Sequence, residues 1–240
     1  MCECDNIMYG ALKLIQPNEA GGLRVNVDTI LLAHFTKPQR EEKILEIGCA
    51  HGAVSLILAK RGFNVTGIDI QSHLIEMAKE NARINGLTAE FRTADIRDYK
   101  SIAMPQSCDR IVVNPPYCEE GQSRISPKSA LAAAKHGSMV TLEEIIVAAH
   151  YILKNRGRLN IIMKSDRLGE LFALLDRYKT PPKILRAVYP SCDVNSSVVL
   201  VEAMRAGKHG LSVLPPLFIR DENGNETKEL KKAYVIEEGK

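Results

Sequence analysis

Lys43-Ile44-Leu45-Glu46-Ile47-Gly48-Cys49-Ala50-His51-Gly52-Ala53-Val54-Ser55-Leu56-Ile57-Leu58-Ala59-Lys60 reads as a short apolar strand, a glycine-bearing turn and a helix with apolar positions at helical spacing. This is the start of a nucleotide-binding βαβ unit. The next strand, Asn64-Val65-Thr66-Gly67-Ile68, ends in Asp69. That residue lies about 20 positions beyond the glycine turn, where such folds set a carboxylate against ribose hydroxyls. A third strand, Ala89-Glu90-Phe91-Arg92-Thr93, runs into Ala94-Asp95. Glu46, Asp69 and Asp95 thus follow three successive strands, and in an open parallel sheet such ends converge on one crevice. The expected crevice is formed by Glu46, Gly48, Cys49, Gly52, Asp69, Ile70, Asp95 and Ile96.

Further along, the apolar run Arg110-Ile111-Val112-Val113 stops at Asn114-Pro115-Pro116-Tyr117. Proline has no N–H and holds the residue before it extended, so strand pairing ends there and Asn114 is fixed at a strand's carboxyl end. If the Asn114 side-chain oxygen and the Pro115 carbonyl face the same way, the turn offers two acceptors to a planar amino group, and Tyr117 offers a flat face for stacking. Read without its neighbours, the same segment is also ordinary loop punctuation.

The order of parts resembles the S-adenosylmethionine-dependent methyltransferases of the Rossmann-like class. Their first motif runs acidic-x-Gly-x-Gly-x-Gly, and Glu46 to Gly52 matches it except for Ala50, a methyl group tolerable at negative φ. A nicotinamide dehydrogenase is the rival use of such a fold. The glycine spacing is not Gly-x-Gly-x-x-Gly, however, and hydride transfer has no role for Asn-Pro-Pro-Tyr. Within the methyltransferases that signature resembles enzymes acting on adenine N6, cytosine N4 or a protein glutamine amide. The resemblance implies that Asn114 and the Pro115 carbonyl accept the amine hydrogens, that Asn114 also borders the cofactor, and that Tyr117, beside Pro116, stacks on the target base.

Leu23 to Ala33, the two motifs above, Ala134-Lys135-His136 and Ala187-Val188-Tyr189-Pro190 together resemble the bacterial adenine-N6 methyltransferases of valine tRNA. This implies S-adenosylmethionine as methyl donor, S-adenosylhomocysteine as product and RNA, tRNA above all, as partner. It also implies a seven-stranded, mostly parallel α/β sheet flanked by helices on both faces, with one antiparallel edge strand. Asp28 and Thr29 would open a helix that closes over the cofactor, with Asp28 as its cap, although Asp28 also suits the start of an ordinary amphipathic helix. The family often has an acidic residue where this chain has Gly137.

With 240 residues, 45% of them hydrophobic, the chain can bury one large core. The expected layout is a single domain, 1–240, with a cofactor-covering segment at 1–40, a core at 41–203 and an extension at 204–240. Helices are expected over Leu142 to Leu153 and Leu168 to Tyr178, and strands over Gly157 to Met163, Lys183 to Tyr189 and Ser197 to Glu202. In the extension, Asn223-Gly224 marks a tight turn and Thr227 to Tyr234 a short helix.

A net charge of +3 does not announce nucleic-acid binding. Arg124 and Lys128, after the signature, and Lys135 and His136 are candidates to meet phosphates, while Lys228, Lys231 and Lys232 extend a basic face; solvated surface charge is the alternative for each. Six scattered cysteines lack zinc or disulfide spacing, so no metal is expected. Without a secretory signal or an apolar span, the expected location is the cytoplasm, and no protein partner is implied. Two competing functions stay open: a glutamine-amide methyltransferase acting on a protein factor, which usually carries a helical domain before the core, and a non-catalytic RNA-binding module.

Overall fold

The structure, a computed structural model, describes residues 4–17, 24–115 and 140–236. It opens with an antiparallel hairpin of β1 (Cys4–Ile7) and β2 (Leu12–Ile15), an element the sequence reading passed over. Helix α1 (Val27–Phe35) follows. Then come β3 (Lys43–Ile47), α2 (Ala53–Lys60), β4 (Asn64–Asp69), α3 (Ser72–Ile84), β5 (Glu90–Thr93), the single turn α4 (Tyr99–Ile102) and β6 (Cys108–Val113). Beyond Pro115 the described chain resumes with α5 (Leu142–Ile152), β7 (Leu153–Lys164), α6 (Leu168–Arg177), β8 (Pro182–Tyr189) and β9 (Val198–Met204). Two short strands, β10 (Ser212–Val213) and β11 (Leu217–Phe218), precede α7 (Lys228–Ala233).

The seven longer strands of the main sheet run in the order β5-β4-β3-β6-β7-β9-β8, and β10 and β11 each pair with β8. All these pairings are parallel except those of β9, which is antiparallel to both neighbours. The antiparallel strand is therefore interior, a correction to the expected edge position. Its residues explain the placement: Val-Val-Leu-Val-Glu-Ala-Met is buried at every position, as a strand covered on both faces must be, whereas most of β8 is half-exposed.

Side chains alternate between two apolar layers. Ile44, Val112 and Leu200 face the layer containing α1, α2, α7 and the hairpin, while Leu45, Ile111 and Val201 face α5 and α6. Helix starts follow local capping chemistry. Asn26, not Asp28, caps α1 by accepting the Thr29 N–H at 3.0 Å; Asp28 sits in the first turn, where its charge suits the helix dipole. Thr141 and Glu144 form a reciprocal capping box on α5, and Thr227 caps α7.

One internal charge escaped the sequence reading. Arg110, read only as the first residue of an apolar strand, is buried and bonds Glu42 at 2.7 Å, Asn160 at 2.6 Å and Glu202 at 2.9 Å. Glu202 also takes a bond from Arg158. A buried guanidinium is tolerated only when its donors are satisfied in this way.

Candidate active site

Parallel register brings the marked residues together. Ile47 lies opposite both Ile68 and Val113, and Asp69 lies opposite Thr93. Gly48, Asp69 and Asn114 therefore share one row at the carboxyl edge of the sheet, with Asp95 two residues past Thr93. Strands are spaced about 4.8 Å apart, so Asp69 and Asn114 stand about 10 Å apart, on either side of the glycine turn.

The turn is held by backbone bonds: the N–H groups of Gly48 and Cys49 both donate to Ile68 O, at 2.8 and 2.9 Å. Gly48, Ala50 and Gly52 have φ of +70°, +47° and +88°. Ala50 thus adopts the left-handed conformation rather than the negative φ expected of it, and its N–H donates to Asp69 Oδ2, 2.9 Å away. At Gly52 a side chain is excluded outright, since a Cβ there would lie 2.9 Å from the Phe91 ring and 3.0 Å from Ala78 Cβ. Gly67, which the sequence reading treated only as part of a strand, is equally confined, 2.8 Å from the same ring. Cys49 packs its sulfur into that apolar corner, and burial pushes its thiol well above the usual range. The same thiol also donates to Ala50 O in the turn, at 3.8 Å.

The three carboxylates are not equivalent. Asp69 takes one N–H on each oxygen, from Ala50 and from Gln71, both at 2.9 Å, which leaves lone pairs for hydroxyl donors. Asp95 caps a 3-10 turn at Ile96 and is gripped by the Arg97 guanidinium, at 2.5 Å to Oδ2; that hydrogen bond leads in holding its carboxyl below the usual range. Glu46 is buried, accepting both the N–H and the hydroxyl of Ser55 in the first turn of α2. Burial pushes its carboxyl up to about 8, Asp69 adds to the rise, and the Ser55 bonds oppose it. Its place is to tie β3 to the helix after the glycine turn.

Ile70, just past Asp69, is an exposed apolar residue beside the crevice, whereas Ile96 is buried. Asn81 on α3, another residue the sequence reading missed, donates to His51 O at 3.0 Å and to Ile15 O at 2.9 Å and accepts from Ile15 N at 2.7 Å. It pins β2 to the glycine turn. A lone amide on an otherwise apolar helix face, among Leu74, Ile75, Ala78 and Ala82, was the available signal.

Asn114 and Pro115 are the last described residues after β6. Asn114 Oδ1 is buried and has no hydrogen-bond partner among the described residues, an expensive arrangement for a carbonyl oxygen. Pro116, Tyr117, Arg124, Lys128, Lys135, His136 and Gly137 lie outside the described residues. Among those described, no group of three or more His, Cys, Asp or Glu is placed to hold a metal ion, and no helix is long and apolar enough to cross a membrane.

Strand order, the buried antiparallel strand and the glycine turn at the carboxyl edge define the class I methyltransferase fold. A predicted O-methyltransferase from Agrobacterium tumefaciens shares it, with a TM-score of 0.69, 19% identity and coverage of 88% of this chain and 98% of that one. The family model for the methyltransferase small domain matches residues 25–180, and the chain belongs to that family. A Bacteroides thetaiotaomicron protein named tRNA1(Val) (adenine(37)-N6)-methyltransferase is 28% identical over 161 residues, covering 66% of this chain and 64% of the relative. The release factor glutamine methyltransferase of Aliivibrio fischeri is 35% identical over 118 residues, covering 45% of this chain and 40% of that one. The chain thus spans less than two thirds of either relative.

Proposed function

We propose that this protein is an S-adenosylmethionine-dependent N-methyltransferase acting on the N6 amine of an adenine in RNA, tRNA being the first substrate to test. The observation that carries this reading is the buried Asn114 Oδ1, without a hydrogen-bond partner among the described residues, on the same sheet row as Gly48 and Asp69. The residues present fit the cofactor: Asp69 has acceptor capacity left for ribose hydroxyls, Ile70 offers an apolar face to an adenine ring, and the Gly48–Gly52 turn keeps bulk away from the methionine part. Asp95 is placed for the adenine amine once its bond to Arg97 is shared. In this reading Asp28 and Thr29, in the first turn of α1, belong to the segment that closes over the cofactor. Bound S-adenosylmethionine supplies an electrophilic sulfonium methyl group.

The chain's own residues then deal with a poor nucleophile. An aromatic amine delocalises its lone pair into the ring. Asn114 Oδ1 and the Pro115 carbonyl, by accepting its two hydrogens, orient that lone pair and stabilise positive charge as it develops on nitrogen. Tyr117 stacks on the base, a contact worth about 1–3 kcal/mol. Pro116, Arg124, Lys128, Lys135 and His136 complete the substrate side. In this reading residues 1–40 cover the cofactor, 41–203 form the catalytic core and 204–240 extend it, in a cytoplasmic enzyme that uses no metal.

The nearer relative by extent, which spans two thirds of this chain, is named for tRNA and favours RNA over a protein amide. The test is methyl incorporation from labelled S-adenosylmethionine into tRNA, DNA and a peptide-release factor offered in parallel. Labelled tRNA alone supports the reading. Label only in the release factor replaces it with glutamine methylation.

A further inference from the structure

A second feature of the ligand-facing edge belongs to none of the residues assigned above except Asp28. Beyond Asn114 the edge continues through β7 and β9 to β8, and over the last two lies a cavity of about 310 Å³. Three separate segments wall it: Asp28 from the first turn of α1, Pro190, Ser191 and Ser197 from the β8–β9 connection, and Ile219 and Arg220 from the C-terminal extension. At an effective spacing of about 4.8 Å per strand, it sits about 10–14 Å from the Asn114 row. It is therefore outside the place where the reacting amine must lie, yet on the same rim.

The cavity is built rather than incidental. Ile219 N–H donates to Tyr189 O at 2.8 Å and Arg220 N–H to Pro190 O at 3.0 Å, so the extension is stitched alongside the end of β8. Ser197 N–H donates to Val188 O at 3.0 Å and fixes the opposite wall. The rings of Tyr189 and Phe218 pack 5.5 Å apart directly beneath this junction. Arg220 is exposed, and the bond its guanidinium makes from Nη1 to Gly224 O at 2.8 Å leaves further donors on the same group.

The chemistry of the walls selects the occupant. An apolar floor of Pro190 and Ile219 suits a flat ring; two hydroxyls and a carboxylate suit the edge of a base or a ribose; a guanidinium at the rim suits phosphate. The volume is at the lower end of the range of about 300–1,000 Å³ common to small-molecule sites, room for one nucleoside and not for a duplex. Most of these walls come from residues beyond 180, where the match to the methyltransferase family model ends, and Ile219 and Arg220 come from the C-terminal extension.

We infer that this cavity is a subsite for one unpaired nucleotide flanking the methylated adenine, with Arg220 on its phosphate, and that it contributes to the choice of which adenine is modified. The inference rests on RNA being the substrate. An RNA strand held at both points has its target base splayed toward Asn114 while a neighbour is gripped at β8, as sequence-selective recognition of single-stranded RNA requires.

The test uses the full-length chain, S-adenosylmethionine and a stem-loop RNA containing the methylated adenine, together with versions carrying a single abasic site at each flanking position in turn. Arg220→Ala should raise KM for the intact RNA about 5- to 30-fold, with kcat and cofactor affinity unchanged. One abasic position should raise KM of the unaltered enzyme by a similar factor, and should add little further to Arg220→Ala. Arg220→Lys should recover part of the loss. An active enzyme in which every abasic site and Arg220→Ala combine multiplicatively has no such subsite, and the inference falls while RNA methylation stands. An enzyme that binds cofactor but methylates no RNA overturns both.

Discussion

The Asp69 carboxylate accepts the Ala50 N–H at 2.9 Å, joining the end of β4 to the turn after β3. One side chain thereby shapes the glycine turn and presents acceptors to the crevice. Asp69→Ala should weaken S-adenosylmethionine binding by about 10- to 100-fold, the range expected when charge-assisted hydrogen bonds worth about 1.5–3 kcal/mol are lost. Isothermal titration checks this. The kcat at saturating cofactor should change far less, and unaltered affinity would remove Asp69 from the cofactor site.

Ala50 pays for its conformation. A left-handed alanine costs roughly 1–2 kcal/mol, whereas glycine adopts φ near +47° freely and loses part of that gain through its looser unfolded chain. Ala50→Gly should therefore stabilise the protein by about 0.5–1 kcal/mol in urea unfolding. A destabilised variant would contradict the positive φ.

Two buried groups near the turn shape the pH dependence of stability in opposite senses. The Glu46 carboxyl, raised from 4.5 to about 8, contributes stability that is complete below pH 4.5 and is lost as pH rises toward 8. Burial, aided by Arg24, lowers His51 from 6.5 to about 4; its contribution is complete above pH 6.5 and is lost as pH falls toward 4. Between pH 4.5 and 6.5 the two slopes cancel. Thermal unfolding should show a plateau there and a decline from pH 6.5 to 8, and Glu46→Gln, whose amide oxygen can still accept the Ser55 bonds, should flatten that decline. A decline of unchanged steepness in the variant would assign it to other groups.

Arg110 joins three polar partners inside the sheet. Arg110→Ala removes the guanidinium partner of buried Asn160 and half-buried Glu42 and leaves Glu202 paired with Arg158, and should cost about 3–5 kcal/mol, measured by urea unfolding. The double variant Arg110→Met with Glu202→Gln should cost less than the two single changes added together. Strict additivity would show that the groups do not form one network.

The sequence carried most of the frame because strand ends, glycine turns and helix periods are local signals. The strand after Lys43, the Asp69 and Asp95 positions and the turn at Asn223-Gly224 all lie where their residues place them, and Gly224 takes φ +78°. Long-range partnerships were not legible. Nothing in the spacing of Glu46 reveals that its carboxylate bonds Ser55, or that Arg110 meets Glu202 from a strand added 92 residues later. Strand order was half-hidden for the same reason: the two-sided burial of Val198 to Met204 was visible in composition, but its insertion between β7 and β8 is a matter of pairing. The positive φ of Ala50 and its bond to Asp69 were likewise absent from the local pattern.

The most direct measurement is mass spectrometry of nucleosides from tRNA of cells lacking this protein, after incubation with S-adenosylmethionine and either the unaltered chain or Asn114→Ala. N6-methyladenosine should form with the unaltered chain, and kcat should fall by about 10²- to 10³-fold in the variant, as when a donor or acceptor that acts in the transition state is lost, with cofactor affinity nearly preserved. Equal rates from the two proteins, or a methylated nucleoside other than N6-methyladenosine, would contradict the role assigned to Asn114.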